Sequence, residues 1–268
     1  MRKYQNLSMK IGTCLLIIFT ISGLFADNND ESIEYNGYDT AMTSILWMQH
    51  SAEYEALCRQ AYNIAKLRLQ QDMTKRYDKP KAVVLDIDET VLNNMPYNAR
   101  KITNYGQERI GFYDWVELAI AELIPGAKDF IEYADKNGYE VFYISNRRNK
   151  YLKATIDNLE KYDLPNADKL HVLLKSKGNT KQKRREKVTA DYHIVLLVGD
   201  NILDFYQFED SNKVRRRQVK EMQELFGKKF ILLPNPVRGS WEKAFYHSDE
   251  YLPINERNKI KRSLLKDF

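Results

Sequence analysis

Cysteine and histidine are scarce in this chain of 268 residues. The only thiols are Cys14 and Cys58, too few for a disulfide scaffold or a four-cysteine zinc module. His50, His171, His193 and His247 lie far apart, without the clustering a histidine-based zinc hydrolase needs. A long apolar run is also missing. The longest uncharged stretch, residues 11–26, has 16 residues, against about 20 for a membrane-spanning helix. No repeat of solenoid or propeller length recurs. Strong charge of one sign is absent as well: 42 Lys and Arg face 37 Asp and Glu, a formal +5. With 43% apolar and 29% charged residues, the balance is that of a globular domain rather than a disordered chain.

The first residues read apart from the rest. Residues 1–10 carry Arg2, Lys3 and Lys10 and no acid, residues 11–26 are uncharged, and a polar DNNDES follows. A basic start, a short apolar core and a small residue at its end form the pattern of a secretory signal. A retained anchor is the alternative, because Leu24 stands where a second small residue is expected. Residues 1–26 are thus expected to be a signal peptide or N-terminal anchor, and export follows from either. Without them 39 basic and 37 acidic residues remain, so no electrostatic case for a nucleic-acid partner survives. Membrane association would rest on the N-terminal segment alone. Cys58 is left solitary, and in an oxidising compartment it is expected to be buried. Residues 27–39, rich in Asn, Asp and Gly, read as a flexible arm.

Residues 40–268 read as one domain. Residues 44–73 contain neither Gly nor Pro, and Ile45, Met48, Ala52, Ala56, Ala61, Ile64, Ala65, Leu67 and Leu69 support a helix in one or two pieces. Lys79-Pro80 closes it. Short apolar runs then alternate with helical stretches: strands are expected at 82–87, 139–145, 170–174, 193–199 and 229–234. Helices are expected near 126–137, 148–161, 180–188 and 213–226. Near-continuously apolar strands are buried on both faces, and their alternation with helices implies a doubly wound, Rossmann-like α/β fold with a mostly parallel sheet. Residues about 90–125, with Gly106, Gly111, Phe112, Tyr113 and Trp115, break the alternation. They are expected to form a mainly helical cap inserted after the first strand.

Ligands of such sheets bind beyond the C-terminal strand ends, so the residues that follow each run carry the argument. After the first come Asp86 and Asp88, which as i and i+2 of an extended segment face one space and repel unless a cation or shared proton relieves them. Ser145 and Asn146 follow the second, where a hydroxyl and N–H groups at a helix start suit an anion. The third is followed by a basic run, Lys175 to Lys187, read mainly as a solvated helix face, with Lys181 at the helix start as the residue reaching a phosphate. After the fourth come Gly199, which lets the backbone turn sharply, and the acids Asp200 and Asp204. Carboxylates at one sheet edge suit a hard cation such as Mg²⁺. With a hydroxyl and a lysine they suggest phosphoryl transfer.

This order of motifs resembles that of the haloacid dehalogenase (HAD) superfamily of phosphohydrolases. VLDIDETVLNNMPY (84–97) and VLLVGDNILDF (195–205) closely resemble the two signatures of the class C acid phosphatases, an exported and often outer-membrane bacterial family that includes the lipoprotein e type. The resemblance covers residues 40–250. It implies that Asp86 is the nucleophile and a Mg²⁺ ligand. Asp88 would bind Mg²⁺ through its carbonyl and protonate the leaving oxygen. Asp200 would be a further ligand, with Asp204 supporting the metal's water shell. Ser145, Asn146 and Lys181 would hold the phosphoryl group. It further implies a periplasmic, outer-membrane or cell-surface location in a Gram-negative bacterium, or secretion, and a small phosphomonoester as partner.

The chain departs from that pattern in lacking a lipobox cysteine, in Ser145 for a more usual Thr, in Ile202 for Leu, and in Arg238 for an aromatic residue. Related nucleotidases hold a base between aromatic side chains. Phe112 is the candidate wall here, ahead of Tyr113 and Trp115, with Tyr97 and Arg238 as further substrate contacts. Arg238 offers two roles, stacking on a base through its planar guanidinium or attracting a second anionic group. Hydrolysis of 5′-nucleotides is therefore expected. Cysteine and histidine phosphatases are excluded, because neither cysteine has Arg six positions on and Arg-His-Gly is absent. The other class of reading is an exported binding protein or adhesin that keeps the fold without activity. Loss of Asp86, Asp88, Asp200 or Lys181 would mark it, and all four are present. The long N-terminal helix and the basic C-terminal tail are candidates for homodimer contacts.

Overall fold

The region without Gly or Pro forms two helices, α1 (Met42–His50) and α2 (Ala52–Asp72). Ser51 between them is extended, at φ −82° and ψ 138°. Its hydroxyl donates to the Trp47 carbonyl at 2.7 Å and accepts from the Tyr54 N–H at 3.1 Å. One side chain thus ends α1 and caps α2. The computed structural model describes residues 39–104, 110–209, 211–246 and 252–268. The expected signal or anchor and all of the arm except Asp39 lie outside the described residues. Among the described residues no helix is long and apolar enough to cross a membrane.

Cys58, Ala61, Tyr62, Ala65 and Leu69 form the buried stripe of α2. Leu67, expected to support the helix's apolar face, falls on the opposite side and is exposed. Cys58 is free and fully buried, and burial pushes its thiol up to about 11, so it stays protonated and unreactive.

All five expected strands form. They are β1 (Lys81–Leu85), β4 (Glu140–Arg148), β5 (Val172–Lys175), β6 (His193–Gly199) and β7 (Phe230–Leu232). The insertion between β1 and β4 contributes a short antiparallel pair, β2 (Leu92–Asn93) and β3 (Glu122–Leu123), around α3 (Met95–Thr103) and α4 (Phe112–Glu117). The main sheet is parallel throughout, in the order β5-β4-β1-β6-β7. Val83 and Leu85 pack on one face, with α2 and α5 (Ala127–Lys136). Ala82 and Val84 pack on the other with Val188 of α7 (Lys181–Asp191). Two covered faces explain why the strands lack polar alternation. α6 (Leu152–Glu160) connects β4 to β5, α8 (Asn212–Glu221) precedes β7, and α9 (Ser240–Lys243) and α10 (Ile254–Ser263) follow it.

From β1 the sheet grows outward to β4 and β5, then the chain crosses to β6 on the other side of β1. The strand order therefore reverses between β1 and β6, where the connections diverge and leave a crevice. Asp86 leaves β1 and Asp200 leaves β6 at that crevice. The insertion is tied back to the body by Asn158 of α6, whose amide exchanges hydrogen bonds with the Ala121 N–H (3.1 Å) and carbonyl (2.9 Å).

Candidate active site

Asp86 and Asp88 flank Ile87, which is fully buried, so both acids turn away from the core as their i, i+2 spacing demands. The backbone then doubles back. The N–H groups of Thr90, Val91 and Leu92 all point at the Ile87 carbonyl, at 3.3, 2.9 and 2.8 Å, and Tyr62 of α2 donates to the Thr90 carbonyl at 2.6 Å. Glu89 in this turn has φ +59°, a left-handed conformation unfavourable for an L-residue with a side chain.

The two aspartates have separate partners. Asp86 Oδ1 lies 2.5 Å from Lys181 Nζ, which also reaches Asp204 Oδ1 at 2.5 Å. Thr180 caps α7 by accepting from the Lys183 N–H at 3.2 Å, so Lys181 enters the crevice from the first helical position, as expected. Asp88 Oδ1 accepts from Asn94 Nδ2 and Arg147 Nε, both at 3.0 Å, and its Oδ2 accepts from Ser145 Oγ at 2.9 Å. Arg147 Nη2 is also 3.0 Å from Asp88 Oδ1.

The far side of the crevice comes from the turn after β6. Asp204 Oδ2 accepts from the Asn201 N–H at 2.9 Å, and Asp200 Oδ2 accepts from Asn235 Nδ2 at 2.7 Å. Gly199 is needed for space rather than for a sharp turn. It lacks the positive φ that other glycines here adopt, but an added Cβ would come within 2.3 Å of Asp204 Oδ2.

Asp86, Asp200 and Asp204 each offer a carboxylate oxygen, all within 4.8 Å of one another. Burial and the Asp204 and Asp88 charges push Asp86 up to about 7, against the opposing pull of Lys181. Asp200 is pushed well up by burial, Asp204, Asp86 and Glu89. Burial alone would lower Lys181, but the Asp204 and Asp86 charges outweigh it and hold the ammonium well above its ordinary value. Three acids facing one ammonium leave a surplus of negative charge on hard oxygen donors, which fits a divalent cation. Asp88 behaves oppositely. Burial raises it, but the Arg147 and Arg238 charges and the Arg147 and Ser145 hydrogen bonds outweigh this and bring it down to about 2.

The structure thus brings together Asp86, Asp88, Asp200, Asp204, Ser145 and Lys181. Ser145 and Asn146 are not at a helix start, because β4 continues to Arg148 and a 3₁₀ turn follows at Asn149–Tyr151. Asn146 Oδ1 is taken by Arg184 Nη2 at 2.8 Å. The basic run is not simply a solvated face either. Arg184 and Arg185 are buried. Arg184 also donates to the Ser145 and Leu173 carbonyls, and Arg185 to those of Leu203 and Asp204, so the pair clamps the strand ends to the Asp204 turn.

Among the expected substrate contacts, the Phe112 ring lies 5.5 Å from that of Tyr97. The Arg238 guanidinium sits 5.1 Å over the Phe112 ring while donating to Glu89 Oε2 from Nε and Nη2. The guanidinium thus meets the chain's own Phe112 ring and Glu89 carboxylate. A groove of about 490 Å³ between α1 and the segment after β7, lined by Trp47, Pro234, Asn235 and Pro236, contains none of the carboxylates of the cluster.

Arg147, Asn94, Glu89 and Asn235 are missing from the sequence reading. Arg147 had a signal: it stands two residues after Ser145 on an extended strand and so points to the same face. The others had none, because their partners are fixed by turns and distant segments.

The comparisons with known proteins agree with this geometry. The family model for the HAD superfamily, subfamily IIIB (acid phosphatase), matches residues 26–241. The class C acid phosphatase from Bacillus anthracis superposes with a TM-score of 0.83 at 40% identity, over 87% of this chain and 99% of that one. A second structure of that enzyme, with tungstate bound, gives 0.82 at 40% identity over 86% and 98%. Vegetative storage protein 2 of Arabidopsis thaliana is 27% identical over 172 residues, 59% of this chain. That alignment spans 61% of the storage protein's length. With 216 of its positions matched by the family model (26–241), the chain belongs to the acid phosphatases of the HAD superfamily, subfamily IIIB.

Proposed function

We propose that this protein is an exported, Mg²⁺-dependent phosphomonoesterase that works through an aspartyl-phosphate and prefers 5′-nucleotides. The observation that carries the reading is the convergence of Asp86, Asp200, Asp204 and Lys181 at the strand switch point. The tungstate-bound relative supports it, since tungstate is a tetrahedral oxyanion shaped like phosphate.

Asp86, Asp200 and Asp204 would hold Mg²⁺, with the Asp88 carbonyl as a further donor, and the bound cation would neutralise these acids and the phosphate oxygens. Asp86 attacks phosphorus, which splits hydrolysis into formation and breakdown of the aspartyl-phosphate. Two of the three Lys181 donors go to Asp86 and Asp204, and the third is left for a phosphoryl oxygen. Ser145 exchanges its Asp88 contact for the phosphoryl group when substrate enters. Asp88 then gives a proton to the leaving oxygen and takes one from water in the second step. Because its neighbours hold Asp88 ionised, that proton arrives with the substrate, as the phosphomonoester monoanion that prevails below about pH 6. An acidic optimum follows from that form of the substrate.

Nucleotide preference rests on Phe112 and Tyr97, set edge to face, with Arg238 over the Phe112 ring and joined to the acid turn through Glu89. Export rests on residues 1–26, to the periplasm or outer membrane, to the surface, or to the medium. The non-catalytic alternative has nothing in the site to favour it, since every acid and Lys181 is in place.

The deciding experiment is Asp86→Asn on a chromogenic phosphate ester, with and without Mg²⁺. Wild type should turn over only with the cation, and the variant should be silent. Turnover by the variant, or none by wild type with Mg²⁺, would sink the mechanism. Equal kcat/KM for a 5′-nucleotide and glycerol phosphate would remove the preference.

A further inference from the structure

Trp115 of α4 donates from its indole Nε1 to Asn94 Oδ1 at 2.9 Å, and the Nδ2 of the same amide donates to Asp88 Oδ1 at 3.0 Å. We propose that Trp115 is a positioning residue for Asp88, acting through Asn94, so that the insertion sets the geometry of the group that serves the leaving oxygen. The inference rests on the reading of Asp88 given above.

The argument comes from donors and acceptors. An indole N–H can only donate, so Asn94 must turn its oxygen toward Trp115 and therefore its NH₂ toward Asp88. The rest of Asn94 cannot move to compensate. It is fully buried, its N–H is held by Glu89 Oε1 at 3.0 Å, and its carbonyl accepts from the Asn98 N–H and Nδ2 at 3.1 and 3.2 Å. Asp88 Oδ1 is thereby anchored on the insertion side by Asn94 and on the sheet side by Arg147, while Oδ2 is held, among the described residues, by the Ser145 hydroxyl. Oδ2 is the oxygen left to face the leaving group once Ser145 turns to the phosphate. Without the indole N–H, Asn94 Oδ1 loses its buried donor, and the amide is free to tilt away from its present angle to Asp88 Oδ1. Asp88 then loses the contact that fixes its angle.

The test uses the full chain with Mg²⁺ and two esters, p-nitrophenyl phosphate with a good leaving group and glycerol phosphate with a poor one. Trp115→Phe should lower kcat/KM, which reads the step in which the leaving group departs, about tenfold or more on glycerol phosphate and by less than about threefold on the aryl ester. Trp115→benzothienylalanine keeps the two-ring shape with sulfur in place of N–H, and should show the same bias even if the phenylalanine variant folds poorly. Asp88→Asn should show the bias more strongly. Equal losses on both esters, or no loss, in the isosteric variant overturn the inference. If Asp88→Asn is selective while both Trp115 variants are not, the inference falls and the reading of the site stands. If Asp88→Asn is not selective, both fall.

Discussion

Arg238 grips Glu89 across 149 positions of the chain, with Nε at 3.0 Å and Nη2 at 2.6 Å from the same carboxylate oxygen. Glu89 is buried with a left-handed backbone, while the arginine side chain is 36% exposed. Breaking such a pair leaves the acid without its counter-charge. Arg238→Ala should destabilise the fold by about 2–3 kcal/mol, between the values for exposed and for buried pairs because the arginine meets solvent. Urea unfolding checks this, and Arg238→Lys, which cannot form the same fork, should recover only part of the loss.

Gly199→Ala introduces one methyl group directly beneath Asp204, within 2.3 Å of its Oδ2 and 2.5 Å of its Cβ. The turn has to shift, because Asp204 is also held by Lys181 and the Asn201 N–H. Turnover should fall about 10²-fold or more, in the range seen when one preorganised charged or polar group leaves a site. Steady-state kinetics at saturating Mg²⁺ make the measurement, with circular dichroism to show that the sheet persists.

Asp72 provides a pH prediction remote from the crevice. Burial works to raise its carboxyl, but hydrogen bonds from Tyr77, Lys81 and Tyr139 and the Lys81 charge outweigh it, so it is lowered in the folded state. A lowered acid stabilises the fold above its unfolded value of about 3.9 and loses that contribution as pH falls through the folded value. Asp72→Asn should therefore be less stable than wild type at neutral pH, with the gap closing below about pH 4. Urea midpoints across that range measure it. A gap that stays constant would mean that the charge of Asp72 contributes nothing.

The five strands, the insertion and the acids after β1 and β6 could all be read from the chain because each depends on local order. A strand buried on both faces has to be continuously apolar, and a ligand group at its end must follow the apolar run directly. Asp86, Asp88 and Asp200 obey that rule, and Lys181 follows from its place at the start of α7. The helix break at Ser51 obeys a local rule too, since one hydroxyl serves both helices. The sequence by itself therefore determined the α/β architecture and brought Asp86, Asp88, Asp200 and Lys181 to the crevice. The tertiary structure alone decided what each of them meets there. It paired Asp86 with Lys181 and Asp88 with Arg147, buried Arg184 and Arg185 out of a run that looks solvated, and turned Arg238 onto Glu89 and Phe112. These partners lie 59 to 149 positions apart for Asp88–Arg147 and Glu89–Arg238. Their meeting depends on strand order and on where the insertion folds back, and no local periodicity encodes either.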